Sequence, residues 1–461
     1  MHMPQPRPYQ QQAVDALRHE YRSGARSVLF VLPTGGGKTV VFSHISEHAR
    51  GKVLVLVHRV ELLEQASQSL ARLGVPHGTI RPRQDLDLSE RVQVASVQTI
   101  ARRLARIPAD WFSLVIVDEA HHSNAGTWAQ VLGHFSSARV LGVTATPVRT
   151  DGRGLGEHYE RMVLGPSPAW LTDNGYLAAA RVFAPPIGFD VRQLRVRAGD
   201  YAMDDAAAQL TQRAAMGDVV QHYRRYLDGQ TAIAFCCSVA HAEAVAARFA
   251  GEGISASSID GTMSTDQRRE LLQQLGAGDL KVLTSCQLIG EGVDVPSVGG
   301  CILLRPTQSE ALHLQMIGRC LRPQAGKVAV VLDHVGNVQR LGHHLEQREW
   351  TLDGVRKRAK DAAAPAVRIC STCFAAMPAT AQACPECGAV QVQKPRELKV
   401  LEGELVEVEI AQRQRRKEQG SAQTLEQLIE VGRRRGMKNP HGWARHVLAA
   451  RQAKQHHPAA S

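Results

Sequence analysis

No stretch of this 461-residue chain approaches the ~18–20 consecutive apolar residues that a bilayer-spanning helix needs. Met1 to Gln10 lack the apolar core of a secretory signal, so a cytoplasmic protein with no membrane partner is expected. No short-period repeat signals a stacked array. Aromatic residues are scarce, at 5%, while Ala and Gly are plentiful. Apolar residues at 44% and charged residues at 21% are ordinary for globular protein, which excludes wholesale disorder. At ~100–200 residues per domain, the length suggests two to four domains.

Nine cysteines in a chain of this length read as metal ligands and buried thiols before disulfides. Lys and Arg exceed Asp and Glu by 55 to 44, which points to a polyanionic partner. The surplus is local. Ala411–Ser461 hold eleven Lys or Arg and three Glu, a net of +8 of the total +11.

Short β-branched runs recur between helical patterns. In the first third they are Val28 to Leu32, Val53 to Val57, Val92 to Val94, Leu114 to Val117 and Val140 to Val143. They are too short for helices, and their continuous apolarity fits strands covered on both faces in a parallel sheet. The alternation lapses between about residues 150 and 215, where Asp151-Gly152-Arg153-Gly154, Pro166-Ser167-Pro168 and Pro185-Pro186 fall. It resumes with Thr231 to Phe235, Ser255 to Ile259, Lys281 to Leu283, Cys301 to Leu304 and Val328 to Leu332. The fold class expected is therefore α/β with two parallel-sheet units.

The first strand runs into Thr34-Gly35-Gly36-Gly37-Lys38-Thr39, followed by the helical pattern Val40 to Ile45. The glycines let backbone N–H groups approach phosphate closely, and the helix N-terminus adds its dipole. Lys38 can neutralise the β- and γ-phosphates, and the Thr39 hydroxyl can ligate Mg²⁺. The strict G-x-x-x-x-G-K-[ST] pattern is broken at its first position by Leu32. Asp118 and Glu119 stand directly after the strand Leu114 to Val117, where parallel sheets place ligands. Asp118 would hold Mg²⁺, and Glu119 would orient and deprotonate a water. The plain alternative is an acidic solvated turn.

Near the C-terminus, Cys370-Ser371-Thr372-Cys373 and Cys384-Pro385-Glu386-Cys387 form two CxxC pairs. Four thiolates fit a closed tetrahedral Zn²⁺ site, which would stabilise a module too small for a core of its own. The tail beyond has two helical patterns, around Leu425, Leu428 and Ile429, and after Asn439-Pro440. Arg433, Arg434, Arg435 and Lys438 lie between them. They either complement a helix C-terminus, with Trp443 packing the pair, or form a phosphate-binding hairpin.

Taken in order, these segments resemble the superfamily 2 helicases of the DEAD/DEAH-like group, over residues 7 to 345. Arg7-Pro8-Tyr9-Gln10 looks like the adenine-reading segment, and Leu32 to Thr39 is similar to motif I. His58-Arg59 with Glu61-Leu62-Leu63 looks like motif Ia, and Ser96-Val97-Gln98-Thr99 like motif Ib. Asp118 to His121 corresponds to motif II and Thr144-Ala145-Thr146-Pro147 to motif III. Phe235 to Ser238 is near motif IV. Thr284, with Gly290 to Pro296, looks like motif V, and Gln315 to Arg322 like motif VI. The GEGVDVP and QMIGRCLRP wording, followed by a cysteine-rich C-terminus, is most similar to bacterial RadD-type DNA repair helicases with a zinc ribbon.

The resemblance implies RecA-like domains over 1–165 and 216–345, a connecting region over 166–215 and a charged linker over 346–366. A zinc ribbon over 367–392 and a basic helical tail over 393–461 complete the division. It implies ATP, Mg²⁺ and Zn²⁺ as cofactors, with Arg7, Gln10, Thr34, Gly35, Gly36, Gly37, Lys38, Thr39, Gly292 and Asp294 around the nucleotide. Gln315, Arg319 and Arg322 would act from the second domain. The two arginines lie three apart, so on a helix they would project from one face and could grip the γ-phosphate. Arg59, Ser96, Gln98, Thr99 and Thr284 would contact nucleic acid, and Thr144 and Thr146 would link the two sites. The expected function is an ATP-dependent DNA helicase or translocase in repair or recombination. It would act on single-stranded or branched DNA and contact a single-strand-binding protein. An RNA helicase, a translocase that does not unwind, and a docking factor with a vestigial ATPase are the competing readings.

Overall fold

The computed structural model describes residues 5–58, 60–122, 126–149, 154–184, 191, 194–197, 200–212, 215–286, 298–353, 367–378 and 381–390. In the tail it describes 422, 424–434, 439–442, 444–445 and 447–448. Among these residues, no helix is long and apolar enough to cross a membrane.

Seven strands build the first sheet: β1 (Ser27–Val31), β2 (Val53–Val57), β3 (Gly78–Ile80), β4 (Val92–Ser96), β5 (Leu114–Asp118), β6 (Arg139–Thr144) and β7 (Arg161–Leu164). Their order is β3-β4-β2-β5-β6-β1-β7, and every pair is parallel. All five residues of β2 are buried, as expected of a strand covered on both faces. Leu54→Ala at its centre would cost about 2–5 kcal/mol. Gly142 in β6 is glycine for a packing reason, since a Cβ there would lie 2.4 Å from the Tyr159 ring.

The second sheet is also parallel, with β8 (Ala179–Phe183), β11 (Ala232–Phe235), β12 (Ala256–Ile259), β13 (Val282–Ser285), β14 (Gly300–Leu303) and β15 (Val328–Asp333). Its order is β12-β13-β11-β14-β15-β8. The hairpin of β9 (Val196–Arg197) and β10 (Asp200–Tyr201) precedes the helix Met203–Gln212. Here the structure departs from a plain connection over 166–215, because β8 pairs along β15 and closes one edge of the second sheet. Its Ala-Ala-Arg-Val-Phe sequence is at least partly exposed over its first three residues, so it lacks the apolar run that marks the other strands.

The chain passes between the lobes more than once. The helix Pro168–Asp173, N-capped by the Ser167 hydroxyl, leads from β7 to β8. Past the second sheet, Trp350 and Leu352 pack on apolar residues of the first lobe, and the Leu352 carbonyl accepts from Gly156 N–H at 2.9 Å. The cysteine segment follows, with the short antiparallel pair β16 (Val367–Ile369) and β17 (Ala376–Pro378). It shares a core with the second lobe, where Cys370, Ala375 and Met377 meet Phe183 and Tyr223. An Arg181–Glu386 ion pair adds to that contact. The tail is a separate unit with a small core of Ala422, Leu428, Val431 and Ala444.

Candidate active site

The phosphate loop leaves β1 and enters the helix Lys38–His48 at its first residue. Gly35 and Gly37 have φ of +84° and +86°, a conformation that strains any residue with a Cβ. Leu32, which replaces the first glycine of the strict pattern, is fully buried. Its side chain fills the space under the loop, where a Cβ on Gly36 would meet it at 2.8 Å and one on Gly165 at 2.6 Å. The departure is therefore a packing choice beneath the loop, which still turns through Gly35 to Gly37.

Gln10 is 3% exposed and braces this loop. Its carbonyl accepts from Arg7 N–H at 2.9 Å, and its amide donates to the Gly36 carbonyl at 3.3 Å. The Tyr9 hydroxyl donates to the same carbonyl at 2.7 Å. Part of the Gln10 amide is thus committed to backbone, which fixes the orientation of the rest.

Asp118 ends β5, and Glu119 follows with φ of +49°, an uncommon conformation for a non-glycine residue. Glu119 N–H donates to the Asp118 carboxylate at 3.0 Å. Burial, and then the Glu119 carboxylate, push Asp118 up to about 7, with the Lys38 charge pulling it down. The carboxylate pair is short of positive charge, a deficit that Mg²⁺ held by Asp118 and the Thr39 hydroxyl would relieve.

His121 is the junction of the site. Its Nδ1 lies 2.9 Å from the Thr144 hydroxyl and 3.5 Å from Glu119 Oε2, and its Nε2 lies 3.3 Å from the Gln315 amide nitrogen. An amide N–H can only donate, so Nε2 accepts and Nδ1 carries the proton toward the Thr144 hydroxyl. The Thr144 hydroxyl in turn donates to the Thr146 carbonyl at 2.9 Å. The imidazole connects a first-lobe carboxylate, the β6 terminus and a second-lobe side chain. The sequence alone places His121 in a motif and gives it no role; its adjacency to Glu119 is the one signal there.

Gln315 lies on the helix Glu310–Gly318, N-capped by Ser309. The helix ends against the phosphate loop, since a Cβ on Gly318 would come within 2.5 Å of Thr34. Arg319, 9% exposed, caps this helix, and Arg322 lies half-buried past its end, so the two arginines do not share one helical face as their spacing suggests. The contact leaves no room for any residue larger than glycine at 318, so close apposition of the lobes depends on it.

The residues expected to contact nucleic acid fall in different settings. Thr284 is fully buried, and its hydroxyl donates to the Ala242 carbonyl at 2.8 Å within the second lobe. Ser96 is fully buried and caps the helix Val97–Ala101 by accepting from Thr99 N–H, while Thr99 is itself 6% exposed. These hydroxyls satisfy local backbone, as Ser and Thr commonly do. Gln98 is exposed. Arg59, Gly292 and Asp294 lie outside the described residues.

The four cysteine sulfurs at Cys370, Cys373, Cys384 and Cys387 lie within 4.8 Å of one another. Cys370–Cys387 and Cys373–Cys384 are 3.7 and 3.6 Å apart. Thiolates ~2.3 Å from a tetrahedral Zn²⁺ stand ~3.8 Å apart, so the set fits that ion. The two knuckles turn through positive φ, at Phe374 (62°) and Gly388 (70°), and Thr372 N–H points to the Cys370 sulfur at 3.4 Å.

Residues 3–149 match the family described as Type III restriction enzyme, res subunit, and residues 215–324 match the Helicase conserved C-terminal domain. A 51.5 kDa protein of a Lactococcus phage (isolate 7-9) is 33% identical over 388 residues, covering 82% of this chain and 81% of the phage protein. IRC3 of Saccharomyces cerevisiae, whose name describes an ATP-dependent helicase, is 30% identical over 72% of this chain and 51% of its own length. The DNA 3'-5' helicase XPB of Kineococcus radiotolerans is 27% identical over 69% of this chain and 57% of its own. The chain thus spans little more than half of these two relatives. With both family matches in order along one chain and a phosphate loop closed by a second lobe, the protein belongs to the superfamily 2 helicases, a family of ATP hydrolases.

Proposed function

We propose that this protein hydrolyses ATP between its two lobes and uses the cycle to move along DNA. The observation that carries the reading is the seating of Gly318 and Gln315 of the second lobe on Thr34 and His121 of the first. Lys38 neutralises the terminal phosphates, and Thr39 and Asp118 would hold Mg²⁺. When bound, that ion would supply charge neutralisation to the phosphates. Glu119 orients the attacking water, and the His121 ring, 3.5 Å from Glu119 Oε2, packs against that carboxylate. Arg319 and Arg322 stabilise the charge that develops on the transferred phosphoryl group. Arg7 and Gln10 face the base, and Gly292 and Asp294 complete the nucleotide contacts.

Closure of the lobes follows from this division of labour, because neither lobe holds all the groups the triphosphate requires. Product release removes the link and lets the lobes part, which gives stepping if DNA is gripped unequally in the two states. The names of the relatives support DNA as the track. The cysteine wording supports a RadD-type role in repair or recombination, with a contact to single-strand-binding protein. Arg59 and Gln98 remain as nucleic-acid contacts, and Zn²⁺ holds the four-cysteine module together.

The test is turnover measured with single-stranded, duplex and forked DNA and with RNA. Stimulation by single-stranded or forked DNA well above that by RNA is expected; equal or greater stimulation by RNA overturns the choice of track. Metal analysis of protein purified without chelator should return one zinc per chain.

A further inference from the structure

Three consecutive residues of the passage between β7 and β8 touch three separate parts of the candidate nucleotide site. The Tyr176 ring lies under the Arg7 guanidinium, 5.0 Å from ring centroid to carbon, and 4.8 Å from the Tyr9 ring. Leu177 is 2% exposed and backs Gly35, where a Cβ would meet its side chain at 2.9 Å. Ala178 N–H donates at 2.9 Å to the carbonyl of Leu321, between Arg319 and Arg322 in sequence. The position of this segment is set from behind, because Tyr176 and Leu177 N–H both donate to the Leu171 carbonyl, at 2.7 and 3.0 Å. Trp170, 42% exposed, stacks on Tyr176 at 5.8 Å with 26° between the planes.

Aromatic residues are rare in this chain, and Tyr9, Trp170 and Tyr176 gather beside the phosphate loop. Arg7 is exposed and precedes the helix carrying Gln10. A guanidinium held over an aromatic ring is fixed in position with its far face open to a planar partner. A planar ligand beside Gln10 can stack on that open face. We infer that Tyr176 is a positioning residue for the nucleotide: it holds Arg7 as the platform on which the purine base lies, and so sets base preference from the passage between the lobes. The inference rests on the proposed reading that Arg7 and Gln10 receive the base.

The readout is DNA-stimulated hydrolysis of ATP, GTP, CTP and UTP by the full chain and its variants. Tyr176→Leu removes the ring that holds Arg7, so it should raise KM for ATP by about tenfold while kcat stays near that of the parent. It should also level KM among the four triphosphates. Tyr176→Phe keeps the ring and should restore the parental preference. Arg7→Ala, at an exposed position, should reproduce the Tyr176→Leu pattern and carries the test if that variant does not fold. An equal fall in kcat for all four triphosphates with ATP preference intact would overturn the inference, making Tyr176 a packing residue only. Unchanged KM for ATP would overturn it too. Gln10→Ala separates the two levels: if it leaves base preference intact, the proposed base site itself is wrong. If it abolishes preference and Tyr176→Leu does not, only the positioning role falls.

Discussion

The two lobes are built alike and contribute unlike parts. In the first, chemistry stands at the C-terminal ends of β1 and β5, on the loop through Lys38 and on Asp118-Glu119. In the second, the strand residue Thr284 is buried and hydrogen-bonded inside the lobe. Its contribution comes instead from the end of the helix Glu310–Gly318. A parallel sheet offers loop positions at one edge, but only one of the two sheets needs to bind the phosphates. In the proposed site the other would meet them from outside, from the helix end that reaches the phosphate loop at Thr34. Gly318 marks the meeting point, because any side chain there would strike Thr34.

Removing a part from each lobe tests whether this asymmetry governs turnover. Lys38→Ala should abolish measurable ATP hydrolysis while leaving basal DNA binding near the parental level in a filter or anisotropy assay. Turnover like the parent's in that variant would contradict the first-lobe assignment. Arg319→Ala should lower DNA-stimulated kcat about 10³-fold, the low end for an arginine that stabilises phosphoryl transfer. Nucleotide affinity should change far less, because Lys38 and the loop are untouched.

The His121–Gln315 pair gives a finer comparison across the interface. Gln315→Ala should lower kcat by roughly tenfold, as expected when one buried hydrogen bond is broken, and His121→Ala by more, because it also removes the contacts to Thr144 and Glu119. The double variant should be little worse than His121→Ala alone, since that change already breaks the link to Gln315. Fully additive effects would show that the two side chains act independently. The smallest effect concerns the tail, which holds most of the net charge. Deleting residues 411–461 should weaken DNA affinity and flatten its dependence on salt by a few counterions. An unchanged slope would leave its arginines as partners of the helix Leu425–Arg434 alone.

What can be read directly is local in sequence. A strand, a glycine turn and a Lys-Thr pair occupy thirteen consecutive positions from Ser27 to Thr39, so their chemistry needs no distant partner to be recognised. The two CxxC pairs have the same property, and their four sulfurs do converge. Exposure is harder. Ser96, Thr99 and Thr284 have residue types that suit sugar-phosphate contact, yet helix capping and sheet burial use the same hydroxyls. The edge strand β8 escapes a reading by apolar runs, because an edge position tolerates a partly exposed, charge-bearing sequence.

The amino-acid sequence by itself determined that there would be two parallel α/β units, a phosphate loop, an acidic pair after a strand and a four-thiol cluster. Short-range periodicity and spacing encode each of these. Only the tertiary structure decided that Leu32 packs beneath the loop, that His121 is shared between the lobes, and that Tyr176 to Ala178 meet Arg7, Gly35 and the Leu321 backbone together. Those contacts join residues far apart in the chain, and it is the packing of buried surfaces that selects which distant residues meet.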